Sequence, residues 1–114
     1  MPLWFVRGLR RGVVTTRYPA RPDPSAGSLP TPPAFWPGAL TREIADGLVA
    51  ICPSRALARD DDDTLVLDAG ACTACGQCQQ HAPDVARSSG AFELAATART
   101  TLRKRIPIAG EARQ

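Results

Sequence analysis

Apolar residues recur along this chain with two different periods, and each period marks a separate stretch. Near the start, Leu3, Trp4, Val6 and Leu9 stand among Arg7, Arg10 and Arg11, a pattern that predicts a short helix within Pro2 to Arg11. Alone in water so short a helix is marginal, so it is expected to dock on a partner or lie at a membrane surface. From Tyr18 to Pro37, prolines at 19, 22, 24, 30, 32, 33 and 37 disfavour helix and sheet. They predict an extended segment, either an arm that wraps a neighbour or a disordered linker, with Phe35 and Trp36 as its main apolar anchors. Ile44, Leu48 and Ile51 then repeat at helical spacing, predicting a helix over Ile44 to Ile51. Ala56 and Leu57 lead into a strand, Arg59 to Asp63 turn, and Thr64-Leu65-Val66-Leu67 returns as a second strand.

A related unit follows thirty residues later. Pro83-Asp84-Val85-Ala86 leads to a turn at Ser88-Ser89-Gly90 and a return strand Ala91-Phe92-Glu93-Leu94, with Phe92 and Leu94 as candidate core residues. Thr97 to Arg105 alternates small residues with Arg99, Leu102, Arg103, Lys104 and Arg105, predicting a short basic helix ended by Pro107. That basic cluster caps its own helix, touches an acidic partner or sits near anionic lipid. The chain thus divides into an N-terminal helix and proline-rich docking arm (1–34), a small α+β domain of short helices and two β-hairpins (35–96), and a basic tail (97–114).

Composition narrows the function. A chain of 114 residues with 5% aromatic content has room for one small domain with a limited core. The formal charge is +3, and the basic residues are 13 arginines against the single Lys104, which fits codon bias better than a phosphate-binding surface, so nucleic acid is not an expected partner. No stretch approaches the apolar length of a membrane span, and the apolar run at the N-terminus is too short for a secretory signal. The aspartates at 60 to 63 resemble a calcium or magnesium site, but adjacent carboxylates at a hairpin tip predict a solvated turn.

The candidate chemistry lies in four cysteines, Cys52, Cys72, Cys75 and Cys78. The bacterial two-cluster pattern is CxxCxxCxxxCP, in which three cysteines hold one cluster and the fourth, before proline, reaches across to the other. Here the run from Cys72 to Pro83 keeps three local ligands and the proline but has Ala82 at the exported position. Upstream, Cys52-Pro53 keeps only the exported cysteine, and the same spacing places Arg42, Ala45 and Leu48 at its local positions. The two halves are complementary, leaving a full ligand set for a single 4Fe–4S cluster and none for a second. Two-residue gaps aim three thiolates at one face, and Gly76 permits positive φ if the turn needs it. Alternatives are a four-cysteine zinc site, although such sites usually pair two CxxC knuckles, and unliganded thiols. A disulfide framework would need an oxidising compartment. A cluster would carry part of the folding free energy, so the apo chain is expected to be poorly folded. An oxidised tetrathiolate-bound cubane adds about −2, which brings the loaded chain close to neutral. His81, next to the missing ligand position, is expected at the surface or just behind the ligands.

These residues resemble a known family. Gly12-Val-Val-Thr15-Thr16-Arg17-Tyr18-Pro19 is similar to the Thr-x-x-Tyr-Pro segment that precedes the cysteine motifs in the ferredoxin-type subunit of complex I and of membrane-bound hydrogenase and formate hydrogenlyase complexes. Cys52-Pro53 and the run from Cys72 to Pro83 extend the likeness over about residues 8 to 96. The run from Cys72 to Val85 also resembles small single-cluster ferredoxins. The resemblance implies a ferredoxin-like pseudo-twofold domain, electron transfer without catalysis of its own, and one cluster on Cys52, Cys72, Cys75 and Cys78. It implies iron–sulfur and catalytic subunits of a membrane-associated redox complex as partners, a cytoplasmic location at the membrane periphery, and loss of the outer, electron-entry cluster of the family. A free single-cluster ferredoxin and a structural or assembly subunit with zinc are the competing readings.

Overall fold

The computed structural model describes residues 3–12, 17–23, 28–61, 63–91 and 93–109. Residues 13–16 of the Gly12–Pro19 segment, Asp62 of the aspartate run and the expected core residue Phe92 lie outside them. Helix α1 spans Trp4–Arg11, earlier than and apart from the elements that build the core. Strand β1 (Pro33–Phe35) and a 3-10 turn at Pro37–Ala39 lead to α2 (Arg42–Ile51). Strands β2 (Leu57–Asp61) and β3 (Thr64–Asp68) follow, then α3 (Gln77–His81) and β4 (Ala86–Ser88). A second 3-10 turn at Arg99–Leu102 ends in β5 (Arg103–Pro107). Among the described residues no helix is long and apolar enough to cross a membrane.

Helix α2 starts where its chemistry allows. Thr41 is extended and its hydroxyl accepts a hydrogen bond from the Ile44 N–H at 3.3 Å, while Glu43 places a negative charge in the first turn. The helix therefore begins two residues before the expected Ile44. It stops at Cys52, which is held extended (φ −70°, ψ 109°) before Pro53. Ala45 and Leu48 are fully buried on its inner face.

The sheets are antiparallel. Strands β2 and β3 form the expected hairpin, with Leu57 opposite Leu67 and Arg59 opposite Leu65 and a register shift between Arg59 and Asp61. Strand β2 runs on to Asp61, where a turn from Arg59 is expected; Asp60, Asp61 and Asp63 are exposed and paired with arginines: Arg105 meets Asp60 and Asp61, and Arg42 meets Asp63 at 2.7 Å.

Three expectations fail. The proline-rich stretch, expected to lack sheet, supplies β1 at Pro33–Phe35. Ala86–Ser88 does not fold back on Ala91–Leu94; it pairs with β1, Pro33 opposite Ser88 and Phe35 opposite Ala86. Thr31 explains part of this choice. It is buried to 2% exposure, its hydroxyl shares a 2.7 Å hydrogen bond with Ser88, and it accepts from the Gly90 N–H at 3.0 Å, so the turn residues are used to bind the arm. The basic helix expected over Thr97–Arg105 is instead a 3-10 turn and a strand on β3, Leu65 opposite Ile106. Alternation wins over helical spacing there. Ile106 packs on the core and Ile108 is buried, whereas Arg103 and Arg105 on the other face reach Asp68 and the hairpin aspartates.

The core between the sheets and helices is made of Leu40, Ala45, Leu48, Ala56, Leu57, Leu65, Leu67, Ala82, Val85 and Ile108. Among the described residues it contains no aromatic ring; Phe35 packs on its edge. Helices α2 and α3 approach closely at Gly47, where an added Cβ would stand 2.7 Å from His81 Nε2.

Candidate metal centre

The four cysteines come from three elements and line one cleft. Cys52 caps the C-terminus of α2, Cys72 and Cys75 sit in the loop after β3, and Cys78 lies in the first turn of α3. Cys75 is exposed, the other three are half-buried, and all four are free thiols. The remaining wall includes Thr31 and Pro33 of the arm, Pro53, Ser54, Leu57 and Leu67. Among the described residues no Asp, Glu, His, Lys or Arg lines it.

Backbone geometry in the two thiol-bearing loops is unusual. Arg55 and Ala74, both at φ 54°, are the only non-glycine residues with positive φ among the described residues, and each follows a cysteine by two or three positions. Such a conformation costs roughly 1 kcal/mol per residue, and it gathers where a loop must curl around something. Gly76 adopts φ 78°, the positive value its place in the run anticipates. The curl aims N–H groups inward: Ala74 N–H donates to Cys72 Sγ at 3.4 Å. The loop is anchored at its base by Asp68, whose carbonyl accepts from Ala71 and Cys72, both at 3.1 Å.

Electrostatics differ between the two ends of the cleft. Burial opposes the Cys52 thiolate, but the Ser54 hydroxyl, 3.7 Å away, and the N–H groups of Leu57, Ala56 and Ser54 outweigh it and hold the thiol below its ordinary range. Burial pushes the Cys78 thiol up, and the nearby Cys72 and Cys75 thiolates add to the rise. A cation in the cleft would relieve that repulsion.

Among the described residues no three His, Cys, Asp or Glu side chains converge tightly enough to hold one metal ion. A tetrahedral zinc at about 2.3 Å from each sulfur would bring thiolates to within roughly 3.8 Å of one another. A cubane binds each thiolate to a different iron and so takes a wider ring. The donor set, four thiols with N–H groups directed at Cys52, Cys72 and Cys78, suits such a cluster.

The residues at the other half's ligand positions are turned to packing. Ala45 and Leu48 are fully buried and Ala82 is 8% exposed, all in the core, while Arg42 points to solvent and Asp63. His81 is exposed and does not line the cleft. Sequence reasoning missed Ser54 and the N–H groups of residues 54, 56 and 57 as partners of Cys52. Only the placement of Ser54 two residues after the cysteine signals them. In comparison with known proteins, the chain matches no family model and no curated protein.

Proposed function

We propose that the chain is an electron-transfer protein that holds one 4Fe–4S cluster on Cys52, Cys72, Cys75 and Cys78. The observation that carries this reading is the asymmetry of the two halves: four thiols around one cleft, and Ala45, Leu48 and Ala82 packed into the core at the positions a second cluster would use. The order β1-α2-β2-β3-α3-β4, with the outer strands paired and the inner two forming a hairpin, supports a bacterial ferredoxin-like pseudo-twofold domain.

The particular role we propose is a peripheral subunit of a hydrogenase, formate hydrogenlyase or complex I-like oxidoreductase, on the cytoplasmic side of a membrane. It would exchange electrons with other iron–sulfur and catalytic subunits. The likeness of the Gly12–Pro19 and cysteine segments to that family supports this role, as does the long arm ahead of the domain.

A bound cubane supplies reversible one-electron chemistry. The chain supplies the four thiolates and the N–H groups of Ser54, Ala56, Leu57 and Ala74, which stabilise negative charge on the sulfurs and so favour the reduced state. No acid, base or nucleophile is required. Anaerobic purification or reconstitution followed by iron and acid-labile sulfide analysis and low-temperature EPR tests the reading. Four irons and four sulfides per chain with a reducible cubane signal are expected. Zinc without labile sulfide would overturn it in favour of a structural subunit.

A further inference from the structure

Helix α1 has no buried residue, no side-chain N-cap and no acidic residue in its first turn. Leu3, Trp4, Phe5 and Leu9 are 59–75% exposed. At about 100° per residue, Trp4, Phe5 and Leu9 fall on one side of the helix with Gly8 between them, Arg7 and Arg10 fall on the other, and Arg11 stands at the border, about 20° from Trp4. The Trp4 and Phe5 rings meet edge to face, 6.1 Å apart, and form one apolar block. None of the three arginines makes an ion pair among the described residues.

Charge along the chain is uneven. Residues 1–22 contain five arginines (7, 10, 11, 17 and 21) and no acidic residue, whereas 23–114 contain nine basic and eleven acidic residues. The N-terminal segment therefore carries +5 and the rest −2. An eight-residue helix with no buried residue is marginal, so a surface that accepts its apolar side also stabilises it. Arginines beside an exposed block of aromatic and leucine side chains match the layered chemistry of an anionic bilayer surface, phosphates above and acyl chains below. Nucleic acid would satisfy the arginines and leave Trp4, Phe5 and Leu9 in water.

We propose that α1 binds the surface of an anionic lipid bilayer. It lies in the plane of the headgroups, with Trp4, Phe5 and Leu9 at the acyl boundary and Arg7, Arg10 and Arg11 against lipid phosphates. This inference extends the proposed peripheral location but stands on the residues of α1, so it holds or fails independently of the iron content.

The test is flotation of the full chain with vesicles of phosphatidylcholine alone or with a third of phosphatidylglycerol. Visible absorbance records cluster content in the same samples. Trp36→Phe leaves Trp4 as the sole tryptophan reporter. Binding and a blue shift of Trp4 emission are expected with the anionic vesicles only. Replacing Arg7, Arg10 and Arg11 by glutamine should weaken binding about 100-fold, at roughly fivefold per charge. Trp4→Ser with Leu9→Ser should abolish insertion and leave only salt-sensitive adsorption. Equal binding to neutral vesicles, or anionic binding indifferent to the serine pair, would overturn the proposal. Failure to bind either vesicle would also overturn it and make α1 a protein-docking helix.

Discussion

Leu48→Ala probes the claim that one half of the domain has exchanged a ligand position for packing. The Leu48 side chain is fully buried in a core whose other described members are leucines, alanines, a valine and an isoleucine. Transfer of the lost carbons and the cavity left behind together cost about 3–4 kcal/mol for a leucine in such a position. A domain of this size has about 5–10 kcal/mol in total, so the substitution should remove a third or more of it. The midpoint of thermal unfolding should fall by roughly 12–32 °C, read by far-ultraviolet circular dichroism on cluster-loaded protein. Iron and sulfide per chain, measured before heating, should be unchanged, because Leu48 does not line the thiol cleft. A fall of only a few degrees would refute the packing role. Loss of iron at full secondary structure would show instead that Leu48 supports the cluster site directly.

Cys52→Ser should convert the four-iron signal to a three-iron one or abolish it, and an unchanged EPR spectrum would reject the pairing of Cys52 with the Cys72–Cys78 loop. Gly76→Ala meets no steric obstacle, since nothing lies within 4 Å of the added Cβ, so its cost is the positive φ alone, about 1–2 kcal/mol in denaturant unfolding. Ala74→Gly at φ 54° should move the other way by up to about 1 kcal/mol, and two shifts of the same sign would contradict the loop conformation. Burial opposes ionisation of Asp68, but Arg99 at 3.2 Å, the Gly70 N–H and Arg103 at 3.8 Å hold its carboxyl below the usual range. A lowered folded value means stability that is complete above the unfolded pKa of about 3.9 and lost as pH falls through the folded one. Asp68→Asn should therefore flatten the acid limb of a stability–pH curve below about pH 4, and an unaltered limb would remove Asp68 from that role.

What the chain reveals before its structure is known depends on sequence distance. Helix α2 and the β2–β3 hairpin were legible because Ile44, Leu48 and Ile51 and the run Thr64–Leu67 carry their period within a few residues. The thiol cleft was legible as four residues because cluster spacing is local for three of them. Strand β4 was misread since its partner is Pro33–Phe35, and no nearby residue announces a pairing across 55 positions. The tail was misread because Leu102 and Ile106 satisfy helical spacing and Ile106 and Ile108 satisfy alternation, and only the open edge of β3 decides between them. Ser54 was signalled only by its place two residues after Cys52, and the N–H groups around that thiol belong to a turn with Arg55 at positive φ, which the residue type does not announce.

The pairing of β1 with β4 has a consequence for the order of assembly. The four thiols lie within residues 52–78, whereas the strand pair that closes the domain waits for Ser88 and the sheet edge waits for Pro107. On a ribosome the complete ligand set therefore emerges before its enclosure can form. Local contacts form early and long loops close late. A cluster of the kind proposed would meet the thiol loop while the domain is still open, and the late strands would then close it.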